Sequence, residues 1–350
     1  MKTNKILRFL VVLVIAVGIF SYSLSPSFSK NVNFSQEPLS MWIELGENEQ
    51  SIARVITEST ACPSIKIDRE SYSMQIRVNP SDEFPVLICE FNIPVKSKSV
   101  QINGKKMPLP KQNPTRIAVI GDTGCRIKGK RVQSCNDPNQ WPFQKIIESV
   151  ANWNPDLVIH VGDYVYRQTP CPKDNKGCFG SAAGDFWQAW QDDFFSPADK
   201  LLRTSPWLFA RGNHELCNKT GKGWFNFMYP RRQPEQCEDF TDPYSVSLGD
   251  FDILVMDSAI ADDDKKVPSQ VAKYTEQFKQ LNNLTKKPSW LLIHRPIWGL
   301  KEIKGHKNTL TSHELILNQT LQAASGDHLP DFISLILSGH IHILSVRDKK

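Results

Sequence analysis

The sequence has no internal repeat and no long low-complexity run, which argues against solenoid, fibrous and disordered architectures. It has no lysine- and arginine-rich block. Its formal net charge of +5 drops by three, to +2, once Lys2, Lys5 and Arg8 at the N-terminus are set aside. So nearly neutral a chain is not expected to take nucleic acid as a structural partner. It also lacks the apolar run of roughly 20 residues that a membrane-spanning helix needs; residues 9–20 come nearest. No two of its cysteines show the CxxC spacing of a zinc site.

What is present is a chain of 350 residues, long enough for one large domain or two ordinary ones. Lys2, Lys5 and Arg8 precede the apolar run, and Ser21, Ser23 and Ser25-Pro26 follow it. A basic start, a short apolar stretch and small polar residues read as a signal peptide over residues 1–24. The remainder is then expected outside the cytoplasm, secreted or periplasmic. Membrane contact is expected only if the segment stays uncleaved. Eight cysteines fit that compartment. Their pairing is open among 105 arrangements, and proximity along the chain suggests Cys62–Cys89, Cys125–Cys135, Cys171–Cys178 and Cys217–Cys237.

Residues 31–110 lack any helical period. Strand-like runs at 52–56, 73–78, 86–93 and 100–103, with a hairpin signal at Asn103-Gly104, predict a small all-β domain. Residues 105–114 read as a linker. From 115 to 350 the pattern is α/β. Strands are predicted at 116–120, 157–161, 207–210, 244–247, 251–256, 290–293 and 332–337, with a further one at 341–346. Helices are predicted at 142–151, 185–202, 267–284 and 314–324.

The polar residues fall where the apolar strands end. In order they are Gly121-Asp122-Thr123-Gly124, Gly162-Asp163-Tyr164-Val165-Tyr166, Gly212-Asn213-His214-Glu215, Leu291-Leu292-Ile293-His294 and Gly339-His340-Ile341-His342. Carboxyl ends of strands are where α/β sheets hold ligands, and carboxylate, amide, phenol and imidazole are all metal donors. A single strand-end Asp is more often a cap, and a lone His is usually structural. Five such ends in succession are hard to reach by chance.

This series resembles the calcineurin-like metallophosphoesterase superfamily over about residues 115–346. Most members carry Asp-x-His in the first motif, where this chain has Gly124. Tyr166 stands three residues after Asp163. Both departures are similar to the purple acid phosphatases. The resemblance implies a two-sheet β sandwich flanked by helices, here preceded by the small β domain. It implies that Asp122, Tyr166 and His342 bind one metal, that Asn213, His294 and His340 bind a second, and that Asp163 bridges them. Fe(III) would pair with a divalent Fe, Zn or Mn. Two ions roughly 3.5–4 Å apart would hold a small phosphate ester and activate water for attack on phosphorus. The resemblance further implies a catalytic role for His214, with Asn213, His214 and Arg295 touching substrate. Two alternatives stay open: a metallophosphodiesterase acting on nucleotides or lipid headgroups, and a shortened, catalytically silent form. The latter arises because the sequence stops eight residues after His342, where relatives add further strands.

Outside the motifs, His160 reads as a core or supporting histidine, and His306, His313 and His328 as solvated. Trp187, Trp190, Phe194 and Phe195 read as packing residues. Long loops near 126–140 and 167–185 are expected to shape the pocket.

Overall fold

The computed structural model describes residues 37–303, 312–326 and 329–342, with the backbone alone for 299–303 and 312–317. The expected signal peptide, His306, His328, the His313 side chain and residues 343–346 of the last expected strand lie outside that description.

Seven strands form the main sheet, in the order Gln75–Val78, Leu87–Ile93, Ser51–Thr57, Ser40–Leu45, Trp207–Phe209, Leu157–His160 and Ile117–Ile120. The first four run antiparallel to one another. The junctions from Ser40–Leu45 onward are parallel. A second sheet runs Tyr244–Ser247, Asp252–Val255, Ser289–Leu292 and Ile333–Leu337, with its last three strands parallel.

Side chains alternate across a strand, so each strand serves two layers. Leu157, Ile159, Leu208 and Ala210 point into the sandwich against Val246, Ile253, Val255 and Leu292 of the second sheet. Val158, Trp207 and Phe209 point the other way, into an aromatic layer with Trp187, Trp190, Phe194, Phe195 and Trp224. The four aromatics expected to pack are therefore buried in this layer. Behind the second sheet, Tyr274, Phe278 and Leu281 of the helix Pro268–Leu284 cover Leu254 and Leu291.

The N-terminal β segment is built into this architecture. Met41, Ile43, Ala53 and Val55 pack on Ile65, Ile67, Val100 and Ile102 of a small four-stranded sheet. Trp42 and Ile56, on the opposite face, join the aromatic layer. Hydrogen bonding therefore runs without a break from residues expected in a preceding domain into the central strands. Pairing of Ser40–Leu45 with Trp207–Phe209 also removes an exposed sheet edge. Two arginines add a tie. Arg54 and Arg77 donate to the carbonyls of Phe225, Asn226, Phe227 and Tyr229 at the C-terminal end of the helix Gly221–Phe227. Cations there satisfy carbonyls that the helix leaves unpaired.

Some local expectations change. Lys105–Met107 is a strand rather than linker, returning through Asn103 and Gly104, both at positive φ as a tight hairpin turn requires. The helix expected at 185–202 is interrupted by a π-turn at Gln191–Phe195. The helix expected at 314–324 is instead the strand Ser312–Leu317, paired with Trp298–Ile303, followed by the helix Gln319–Ser325. Asn318 sets that boundary, because its side chain accepts from Leu321 N at 2.8 Å. Ile341 and His342 are not in a strand. The four disulfides join the pairs that proximity suggested.

Candidate metal centre

The parallel strands of both sheets end at the same edge of the sandwich. Asp122, Asp163 and Asn213 follow Ile117–Ile120, Leu157–His160 and Trp207–Phe209. His294 follows Ser289–Leu292, and His340 and His342 follow Ile333–Leu337. Asp122, Asp163, His340 and His342 hold φ angles of 54°, 62°, 74° and 53°. Such left-handed backbone is uncommon outside glycine and concentrates at functional sites. Here it turns the chain sharply enough to aim consecutive side chains back at the sheet edge.

The donors fall into two overlapping groups. Tyr166 Oη lies 3.0 Å from Asp122 Oδ1, 2.8 Å from Asp163 Oδ2 and 3.0 Å from His342 Nε2. On the other side of Asp163, its Oδ1 lies 3.3 Å from His294 Nε2, which is 3.0 Å from Asn213 Oδ1. Ligand atoms of Asp163, His294 and His340 lie within 4.8 Å of one another. Asp163 thus presents one oxygen to each group, as a bridging carboxylate must. Adjacent donors around an octahedral ion with bonds of about 2.0–2.1 Å stand roughly 3 Å apart, so the observed spacings fit a metal pair.

The electrostatics point the same way. Burial opposes the charge on Asp122 and Asp163, yet the imidazoles around them hold both carboxyls below the usual range. Burial pulls His294 down, but Asp163 and Asp122 overcome it and raise its pKa to about 9. Tyr166 is pushed far up by burial and by the same two carboxylates. The cluster calls for positive charge, and a phenolate forms there only beside a strong cation.

Supporting contacts fix the donors. His294 Nδ1 meets Val161 O at 2.8 Å, leaving Nε2 to face Asn213 and Asp163. His340 Nε2 meets Asp263 Oδ2 at 2.7 Å and Arg295 Nη1 at 3.1 Å, leaving Nδ1 as its other donor atom. Glu215, fully buried, accepts from the backbone N–H groups of Asp163, Tyr164 and Gly212. Burial and the Asp163 charge raise its pKa to about 8. Gly212 is obligatory beside it: a Cβ there would lie 2.2 Å from Asp163 Oδ1. The π-turn places buried Asp193 beneath the next donor, where it accepts from Tyr166 N at 3.0 Å and from Arg167 Nε.

The calcineurin-like phosphoesterase family profile matches residues 115–344. The chain belongs to the calcineurin-like phosphoesterase family. Members are hydrolases of phosphoesters and use dinuclear metal centres. No curated protein sequence matches the chain. Among solved structures it is similar to the purple acid phosphatase PPD1 from yellow lupin (Lupinus luteus) seeds, with 14% identity and a TM-score of 0.48. That match covers 75% of this chain but only 52% of the lupin protein. It is also similar to PhoD, with 13% identity and a TM-score of 0.49, over 83% of this chain and 68% of that one.

Within this calcineurin-like phosphoesterase, the other expected site residues separate. His214 stands beside the donors: its backbone N donates to Asp163 Oδ1 at 2.8 Å, and its ring packs edge-on against Tyr166. Gln168 Nε2 lies 3.0 Å from its Nδ1, which leaves the proton on Nε2, 4.0 Å from Asp163 Oδ2. Burial lowers its pKa to about 3, so the ring is neutral. Arg295, expected to touch substrate, bonds Ala259 O through Nε and meets Asp263 and His340 through Nη1. His160 is buried and neutral, with its pKa lowered to about 3 by burial. It bonds Thr123 Oγ1 at 3.0 Å and accepts from Gly162 N, bracing the first two motif turns. Sequence reasoning gave no role to Asp263, Glu215, Asp193 or Gln168. Only the Gly-Asn-His-Glu run carried a local signal, for Glu215.

Proposed function

We propose that this chain is an exported phosphomonoesterase of the purple acid phosphatase type. It would carry Fe(III) with a divalent Fe, Zn or Mn. The observation that carries the reading is the position of the Tyr166 hydroxyl between Asp122, Asp163 and His342. A phenolate and two carboxylates form a hard oxygen set that suits a trivalent ion, while Asn213, His294 and His340 suit a divalent one. Export is supported by the basic and apolar N-terminal segment and by the four disulfides.

When bound, the metals would supply Lewis acidity toward the phosphate and would acidify water. The protein's own groups do the remaining work. Asp163 would present one carboxylate oxygen to each ion, and Glu215 fixes the turn that carries it. His214, neutral with its proton on Nε2, donates to a phosphate oxygen or to the leaving oxygen. In the reaction the water oxygen bonds to phosphorus, the bond from phosphorus to the leaving oxygen breaks, and that oxygen takes up a proton.

The test is hydrolysis of p-nitrophenyl phosphate against bis(p-nitrophenyl) phosphate by metal-loaded protein. Preference for the monoester, abolished by chelation and by Asp163→Asn, supports the proposal. Preference for the diester would move the chain to the metallophosphodiesterases, and no turnover of either would leave a silent metal-binding protein.

A further inference from the structure

Beside the candidate ligands lies an open cavity of about 520 Å³, within the range of small-molecule sites. Tyr166 and His342 contribute to its lining, together with Arg126, Arg131, Gln133 and Trp141. Two cations therefore line a space that opens directly onto the candidate ligands Asp122, Tyr166 and His342. The Arg126 guanidinium sits 4.9 Å from the centroid of the Tyr166 ring. Among the described residues, neither Arg126 nor Arg131 meets a carboxylate, whereas neighbouring Arg167 is spent on Asp192 and Asp193.

The segment bearing these arginines is braced. Ile127–Lys128 pairs with Arg131–Val132 as a short hairpin, and the Cys125–Cys135 disulfide closes its base. Arg126 and Gln133 are joined by backbone and side-chain hydrogen bonds. Ile127 N donates to Tyr166 O at 3.1 Å, which ties the hairpin to the strand end carrying a candidate ligand. Trp141 is held by its Nε1 donating to Thr123 O at 2.9 Å. The backbone that carries both cations is thus fixed before an anion arrives. Guanidinium groups bind phosphate through paired N–H donors.

We propose that this cavity is a leaving-group subsite in which Arg126 and Arg131 recognise a second phosphate. The substrate class is then a phosphate ester or anhydride whose leaving group itself carries phosphate. The inference rests on the function proposed above. Water adds to the phosphorus held beside the candidate ligands, the bond from phosphorus to the leaving oxygen breaks, that oxygen takes up a proton, and the second phosphate departs with the leaving group, held by the arginines until release.

The test compares kcat/KM for ADP with AMP, and for fructose 1,6-bisphosphate with fructose 6-phosphate, on the metal-loaded full chain. The member carrying two phosphates is expected to be preferred by about tenfold or more in at least one pair, the scale of one charge-assisted hydrogen bond. The pair whose preference falls in the arginine variants tells whether the anhydride or the sugar bisphosphate is the source. Arg126→Gln and Arg131→Gln are each expected to reduce the ratio about tenfold through KM, with metal content measured alongside. Ratios near one in the wild type, or ratios unmoved in both variants, overturn the subsite while turnover of AMP or fructose 6-phosphate leaves the phosphatase intact. Turnover of none of the four overturns the phosphatase itself, and the subsite with it.

Discussion

Gly124 lies directly against Tyr166: a Cβ at position 124 would lie 2.6 Å from Tyr166 N, 2.8 Å from Tyr164 O and 2.8 Å from the Tyr166 ring Cδ2. The backbone of the second motif thus packs directly on the first at this glycine. A side chain at 124 cannot be seated as the backbone stands, and it would meet the Tyr166 ring as well. Gly124→Ala is therefore expected to push Tyr166 out of place and to weaken metal binding about 10- to 100-fold, the range seen when a ligand's support is removed. Isothermal titration with the metal-free protein measures it. Unchanged affinity would mean that the backbone yields freely.

Asp263 makes a separate prediction. It holds His340 through Nε2, and Arg295 and Asn318 in turn hold Asp263. Asp263→Asn keeps the shape but removes the charge that fixes the ring. Metal content after exhaustive dialysis is expected to fall from two ions per chain toward one, since His340 belongs to only one donor group.

Arg54 and Glu44 form a buried ion pair at 3.2 Å, both almost without exposure. Burial raises the Glu44 pKa to about 7, against the pull of Arg54. Arg54→Met leaves the carboxylate buried and unpaired, which costs about 3–5 kcal/mol. The pH dependence has a definite sign. A carboxyl whose folded pKa lies above its unfolded value holds a proton in the folded state that the unfolded state has lost. Stability therefore falls as pH rises between those two values. Removing Arg54 raises the folded pKa further, so the loss measured by urea unfolding should be larger at pH 8 than at pH 5. Equal losses at both would show that Glu44 does not titrate in that window.

The motif ends were legible in the sequence because each caps an apolar strand, and chain direction alone then brings Asp122, Asp163, Asn213, His294 and His340 to one edge. The supports were not legible. Asp263 sits in a run of three aspartates and Asp193 beside another, and nothing local says which carboxylate is turned inward. The segment 312–317 misled because its apolar run, Leu315-Ile316-Leu317, is too short to show either period, and only pairing with Trp298–Ile303 decides. The attachment of Ser40–Leu45 to Trp207–Phe209 joins residues more than 160 positions apart, beyond the reach of local pattern.

The most direct measurement is the visible absorption spectrum of the purified protein, with iron measured on the same sample. A broad band in the green-to-yellow region, at least one iron per chain, and loss of the band in Tyr166→Phe are expected. A colourless protein that holds two zinc or manganese ions and still cleaves phosphate esters would contradict the assignment of Tyr166 to an Fe(III) centre.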